Sequence, residues 1–187
     1  MSNDLQIFID KFLDIYNPSK TIERAISESL RAASQHNGLY LKSLDTKKTA
    51  EIKAYWGDQL DKISSRYKSQ RLLIEYEKDI IELKTLMNEK YLDYFRKAEK
   101  GGDGFRISHS QKSISVYLKH LWCLRKISMP PCCPVDRKIL ELTECKDKSW
   151  TFVNDIETHR KKFAYIETEA KKENFSIAEW EIRHFEA

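Results

Sequence analysis

The chain has 187 residues, of which 41% are hydrophobic and 33% are charged; this length fits one domain, and the hydrophobic share argues against disorder. Its 33 basic and 29 acidic residues are well mixed and give a net charge of +4, which permits nucleic-acid binding without indicating it. Five glycines and four prolines are few, and such sparse breaker residues favour long helices over many short strands.

The first part of the sequence predicts two amphipathic helices. Apolar residues recur at helical spacing from Leu5 to Leu13, and Asn17-Pro18 is expected to end that helix. The second helix is expected to begin at a cap formed by Ser19 and to stop at Asn37-Gly38.

Two longer helices follow, over roughly residues 46–67 and 69–97. In the first of them, Gly57 is a weak point that costs about 1 kcal/mol relative to alanine. In the second, apolar residues from Leu73 to Met87 follow an alternating spacing of three and four. We interpret this as a long core helix, with a coiled-coil dimer seam as the alternative.

The segment 97–110, KAEKGGDGFRISHS, contains three of the five glycines and is predicted to be a loop. Further helices are expected over about 110–127, 135–142 and 151–172, and Ser176 is expected to cap a short last helix. The sequence shows no repeat and no convincing strand. These patterns predict an all-α fold of about seven or eight helices in one domain, 1–187, with a possible subdivision into 1–100 and 101–187.

The N-terminus lacks the basic segment and apolar run of a signal peptide, and no stretch approaches the roughly 20 apolar residues of a membrane span. We therefore expect a cytoplasmic protein with no membrane association and with reduced thiols at Cys123, Cys132, Cys133 and Cys145. The cysteines and histidines show neither Cys-x-x-Cys nor His-x₃-His spacing, so no metal site and no cofactor is expected.

The segment 111–142, QKSISVYLKHLWCLRKISMPPCCPVDRKILEL, is the most informative part of the chain. It predicts a buried helix, a turn stiffened by three prolines, and a second helix that opens beside Asp136. The polar stripe of the first helix consists of Lys112, Ser115, Lys119, Cys123 and Lys126. Lys112 is expected at the start of that helix, where the partial positive charge of the helix end disfavours an ammonium and favours the neutral amine of a lysine nucleophile.

A lysine at a helix start, an apolar helix and a proline-rich segment ending in Pro-Val-Asp resemble the core of the helix-hairpin-helix DNA glycosylases. The likeness covers about residues 101–143, and the segment GGDGFRISHSQK replaces the family's Leu-Pro-Gly-Val-Gly hairpin. The resemblance implies that Lys112 attacks the sugar C1′ to form a Schiff base. It also implies that Asp136 assists, and that double-stranded DNA presents the damaged base by flipping it out of the helix.

Two hypotheses follow from the sequence. The first is a DNA-repair enzyme resembling these glycosylases, with Lys112 and Asp136 as catalytic residues and with Arg106, His109, Ser110 and Lys119 as candidate nucleic-acid-binding residues. The second is a non-enzymatic helical module that binds a protein or a nucleic acid. The mixed charge distribution favours the second hypothesis, whereas the Lys112–Asp136 arrangement favours the first.

Overall fold

The computed structural model describes residues 3–35, 38–97 and 104–185. Within these ranges the chain forms eight α-helices and no strand, which confirms the all-α prediction. The helices are α1 (Asn3–Tyr16), α2 (Ile22–Ser34), α3 (Thr46–Ser64), α4 (Leu73–Tyr91), α5 (Ile107–Cys123), α6 (Arg137–Glu141), α7 (Ile156–Lys172) and α8 (Ile177–His184).

Helix α5 is the centre of the fold. It packs against α1, α2, α3, α4 and α7, and all of its residues except Val116 are buried. A helix that is buried along almost its whole length has little contact with bulk solvent, so most of its polar side chains find partners inside the protein. This requirement shapes the candidate site described below.

Gly57 allows α2 and α3 to approach closely. A Cβ atom at this position would lie 3.0 Å from Cγ2 of Ile26 on α2. The conformational cost of a glycine in mid-helix is therefore matched by closer helix packing.

The long hydrophobic pattern in the middle of the chain belongs to the core, as predicted. Four of its apolar residues are fully buried inside this chain: Tyr76, Ile80, Leu83 and Met87. Helix α4 ends at Tyr91, however, and a 3₁₀ turn at Leu92–Tyr94 follows, so the predicted extension to residue 97 is wrong.

Several predicted helix starts also need correction. The cap of α2 is Thr21, whose hydroxyl accepts a hydrogen bond from the Arg24 N–H at 3.1 Å, and not Ser19. Helix α7 begins at Ile156 behind an Asp155 cap, five residues later than expected. The predicted loop 97–110 is in part helical, because α5 already begins at Ile107. Residues 98–103 of that segment lie outside the described residues.

Helices α1 and α8 form a second, smaller hydrophobic cluster at the C-terminal end of α5. Leu5, Ile9 and Leu13 of α1 meet Ile182 of α8 and Trp122 of α5 there. The cap predicted at Ser176 is present at the start of α8: its hydroxyl accepts a hydrogen bond from the Glu179 N–H at 3.3 Å. In the part of the chain that is described, no helix is both long and apolar enough to cross a membrane.

Three buried histidines predict how stability depends on pH. Burial lowers the pKa of His109 and His120 to about 3 and that of His159 to about 4, from an ordinary value of 6.5. The unfolded chain therefore takes up protons first as the pH falls below 6.5, and the stability present above that pH is lost towards pH 3 to 4. Each histidine should cost roughly 1–2 kcal/mol of unfolding free energy between pH 7 and pH 5.

Urea denaturation at pH 7, 6 and 5 measures this effect. Burial raises the pKa of Glu181, which gives the opposite trend, but one such group is outnumbered by three histidines. In a His159→Phe variant, which retains an aromatic ring, about a third of the loss should disappear. An unfolding free energy that does not fall between pH 7 and pH 5 would contradict the assignment of these side chains as buried and neutral.

Candidate functional site

A cavity of about 710 Å³ opens beside α5. Its walls come from α1, α2, α6, the end of α8 and the loop 148–151. Four aromatic side chains line it: Phe12, Tyr16, Trp150 and Phe185. Six lysines and arginines line it against four aspartates and glutamates, so a polar or anionic group can be accommodated between aromatic walls.

The two residues predicted to be catalytic meet in this cavity. The Lys112 amine forms an ion pair and a hydrogen bond with Oδ2 of Asp136, and both side chains are largely buried. The other carboxylate oxygen, Oδ1, accepts a hydrogen bond from the Ile139 N–H at 3.0 Å and so caps α6. Asp136 therefore caps α6 and also pairs with Lys112.

Gln111 determines where Asp136 lies relative to Lys112. Its side-chain amide donates to the Val135 carbonyl at 2.8 Å, and its amide oxygen accepts from the Val135 N–H at 3.1 Å. This two-bond clamp fixes the end of the proline-rich turn against α5. Because Gln111 and Val135 each precede one member of the ion pair, the clamp places the next residues, Lys112 and Asp136, side by side.

The electrostatics of Asp136 are set by two opposing effects. Burial raises its pKa, but the charge and hydrogen bond of Lys112 and the Ile139 N–H outweigh it, so the pKa lies below the ordinary value. The carboxylate is thus an anion that is held next to an amine. Such a group can stabilise a positive charge that develops in the cavity.

One expectation about Lys112 must be corrected. Helix α5 begins three residues earlier than predicted, so Lys112 is its sixth residue and lies in the second turn. The field of a helix end falls off within the first turn. The nearest charged group at Lys112 is the carboxylate of Asp136, and the helix end is not what acts on the amine.

A second ion pair lies deeper in the same cavity. Lys119, two turns along α5 from Lys112, binds Glu181 of α8 at 2.8 Å, and both side chains are buried. The Lys119 ammonium also faces the rings of Phe185 and Phe12, at 3.8 and 4.3 Å from their centroids. Lys119 was predicted to contact nucleic acid. The structure places it, paired with Glu181, at the bottom of the cavity; we call these two residues the cavity floor.

The other three candidate nucleic-acid residues lie inside the fold. His109 is buried, and its Nδ1 accepts a hydrogen bond from the Arg106 N–H at 3.0 Å, which caps the start of α5. The Arg106 guanidinium is also buried and donates to the Thr151 carbonyl at 3.2 Å. Ser110 is fully buried, and its hydroxyl has no hydrogen-bond partner among the described residues.

Arg106 instead helps to hold the loop that carries Trp150. The Thr151 carbonyl accepts from both Arg106 and the Ser108 hydroxyl, the latter at 2.7 Å. On the other side of the loop, the Lys148 amine donates to the carbonyls of Leu140 and Thr143 at the end of α6. These contacts fix Trp150 as a rigid wall, with its ring centroid 5.7 Å from the Lys112 amine.

Exposed basic side chains surround the cavity mouth. Arg31 pairs with Glu28 at 2.5 Å, and Arg137 pairs with Glu141 at 2.9 Å. Lys138 is exposed and has no ion pair in the described ranges. The mouth thus offers several cations at the surface, whereas the predicted cluster around Arg106 does not.

The four cysteines are buried in the interior of the protein. All four thiols are buried and unbridged, and burial raises the pKa of Cys123 to about 12. Among residues 3–35, 38–97 and 104–185, no three side chains of His, Cys, Asp or Glu converge in a way that would hold a metal ion.

The sequence did not reveal Gln111, Glu181 or the aromatic walls as parts of the site. Gln111 adjoins Lys112 on a helix that is apolar around most of its circumference, which is the signal that would have found it. Glu181 lies 62 positions from its partner Lys119, so no local pattern connects the two.

Comparison with known proteins finds no relative. No protein-family model matches the chain, and no curated protein or solved structure is recognisably similar to it. The role of the site must therefore be inferred from its own side chains.

The Lys112–Asp136 pair predicts a measurable coupling. Asp136→Asn keeps an oxygen to cap α6 but leaves a buried ammonium unpaired, so it should destabilise more than the double variant Lys112→Met/Asp136→Asn. A double-mutant cycle by urea denaturation should give a coupling of about 1–3 kcal/mol. The exposed pair Arg137–Glu141 is a matched control and should show a coupling near zero. Equal couplings for the two pairs would contradict the buried ion pair.

Proposed function

We propose that this protein acts on DNA as a base-excision enzyme similar to the helix-hairpin-helix glycosylases, with Lys112 as nucleophile and Asp136 as the assisting acid. The observation that carries the proposal is that the Lys112 amine and the Asp136 carboxylate pair within one cavity. The cavity volume of about 710 Å³ is ample for a single flipped nucleotide. The indole of Trp150 lines the cavity and can flank a base.

The chemistry assigns one step to each group. The Asp136 carboxylate accepts a proton from the Lys112 ammonium, which frees the amine to attack the sugar C1′. As the new nitrogen–carbon bond forms, the bond from C1′ to the base breaks. The base leaves with the electron pair and takes up the proton that Asp136 received from Lys112, so Asp136 is a carboxylate again. The carboxylate beside the reacting carbon stabilises the positive charge on the sugar. Opening of the sugar ring then gives the Schiff base.

The cavity mouth supports a role for DNA at the surface. Arg31, Arg137 and Lys138 stand at its edge, where phosphates on either side of a flipped nucleotide would lie. The non-enzymatic helical module remains the competing proposal. It is supported by the Lys112 ion pair, which is also a satisfactory structural contact without any reaction.

Borohydride trapping tests the nucleophile. Duplexes that carry abasic sites or a panel of damaged bases should give a covalent adduct that Lys112→Met abolishes, because reduction fixes the Schiff base. Lys84→Met is a matched control: this lysine is partly buried, donates to the Asn154 carbonyl at 3.0 Å and does not line the cavity. The control should keep the adduct. The absence of any Lys112-dependent adduct across the panel would refute the lysine-nucleophile mechanism.

The salt dependence of binding separates DNA from a protein partner. Affinity for duplex DNA should fall steeply with salt, and Lys138→Gln should reduce the slope of log K against log salt by about one, because one phosphate contact is lost. Lys126→Gln, at an exposed position outside the cavity lining, should leave the slope unchanged. Electrophoretic mobility shifts at several salt concentrations measure both. Binding that is absent, or independent of salt, would favour the non-enzymatic protein-binding module.

A further inference from the structure

Core packing alone does not explain why an ion pair lies in the cavity floor. Lys119 and Glu181 are both buried, and replacing such a pair by well-packed apolar residues is often neutral or stabilising. Both side chains nevertheless line the cavity. The burial of these two charges costs desolvation free energy, and the pair faces a cavity. Both facts favour a role for the pair in ligand binding.

The floor and the Lys112–Asp136 pair belong to one electrostatic site. Burial raises the pKa of Glu181, the Lys119 contact opposes this, and the charges of Asp136 and Lys112 also act on it. Lys112 and Lys119 are seven positions apart, which corresponds to roughly 10 Å along α5. That separation is comparable to the long dimension of a purine nucleoside.

The floor also offers complementary hydrogen-bonding groups side by side. The Lys119 ammonium supplies donors, and the Glu181 carboxylate 2.8 Å away supplies an acceptor. The rings of Phe12 and Phe185 now face the ammonium, and a ligand oxygen or ring nitrogen is a stronger acceptor than a ring face.

We infer that Lys119 and Glu181 recognise the polar edge of a nucleobase, an edge on which a hydrogen-bond acceptor lies next to a donor. Lys119 donates to the acceptor, Glu181 accepts from the donor, and Trp150 flanks the ring. Two edges have this chemistry: the lactam of an oxo-base and the amidine of an amino-base. The inference deepens the proposed function, since it names what the cavity would read on a base that is extruded from DNA.

Titration of the whole protein with three nucleosides, followed by ligand-observed NMR, tests this recognition. Inosine carries a lactam edge, adenosine an amidine edge, and purine riboside lacks the exocyclic group. At least one of the first two should bind about tenfold more tightly than purine riboside, because an unmatched buried polar group is penalised. The preferred nucleoside identifies which edge the floor reads.

The variant Lys119→Met/Glu181→Leu supplies the decisive comparison. It should fold, because the replacement removes both charges together, and it should lose the preference for the edge-bearing nucleoside. Glu181→Gln retains the shape of the side chain and should also reduce the preference. Three results would overturn the inference: no nucleoside binds, the wild-type protein binds all three equally, or the double variant weakens all three by the same factor, as a purely structural pair would.

These results are distinguishable from those for the proposed function. Nucleoside affinity does not depend on the Lys112 reaction, so edge preference without a trapped adduct would refute the enzyme mechanism and leave the recognition intact. A Lys112 adduct without edge preference would support the enzyme mechanism and refute the recognition by Lys119 and Glu181.

Discussion

The burial of α5 is the constraint on which the rest of the structure depends. A helix that packs against five other helices has to pair most of its polar side chains within the protein. Gln111 pairs with Val135, Lys112 with Asp136 and Lys119 with Glu181. These three contacts bring α5 together with the proline-rich turn, α6 and α8, and the cavity lies where those elements meet.

Buried ion pairs are a costly way to hold a fold together. Each charge loses its hydration, and the attraction between the partners offsets that loss only when the geometry is good. Asp136 meets this condition because its two oxygens are each bonded, one to the Lys112 amine and one to the Ile139 N–H. Helix capping and the candidate chemistry therefore depend on the same carboxylate, so the fold holds that carboxylate in place before any substrate arrives.

Much of the fold could be predicted because the spacing of apolar residues along the sequence indicates where most helices lie. The positions of α1, α3 and α8 follow from apolar spacing and from ordinary caps such as Ser176. The start of α5 was missed because its N-cap residue is Arg106 and not one of the usual Ser, Thr, Asp or Asn residues; the ring of His109 accepts the Arg106 N–H instead. Because of that error of three residues, Lys112 was predicted at the helix start, whereas it lies in the second turn.

Only part of the site could be predicted, because local sequence patterns do not show contacts between residues that are far apart in the chain. Lys112 and Asp136 lie on consecutive helices, and the connection between these helices is stiffened by three prolines, so the sequence indicates that the two residues can meet. Arg106 and Lys119 find their partners at Thr151 and Glu181, far along the chain, and no local pattern indicates that a basic residue will be buried. The candidate phosphate contacts are therefore no longer the buried residues around Arg106 but the exposed basic residues at the cavity mouth, such as Lys138.

The most direct test is a crystal structure of the protein bound to duplex DNA that carries a pyrrolidine nucleotide, whose cationic ring mimics the charged sugar. We predict that this nucleotide is flipped into the cavity, with its ring nitrogen about 3 Å from the Asp136 carboxylate and beside Lys112. A complex in which the pyrrolidine stays in the duplex, or in which the DNA lies on another face of the protein, would contradict it.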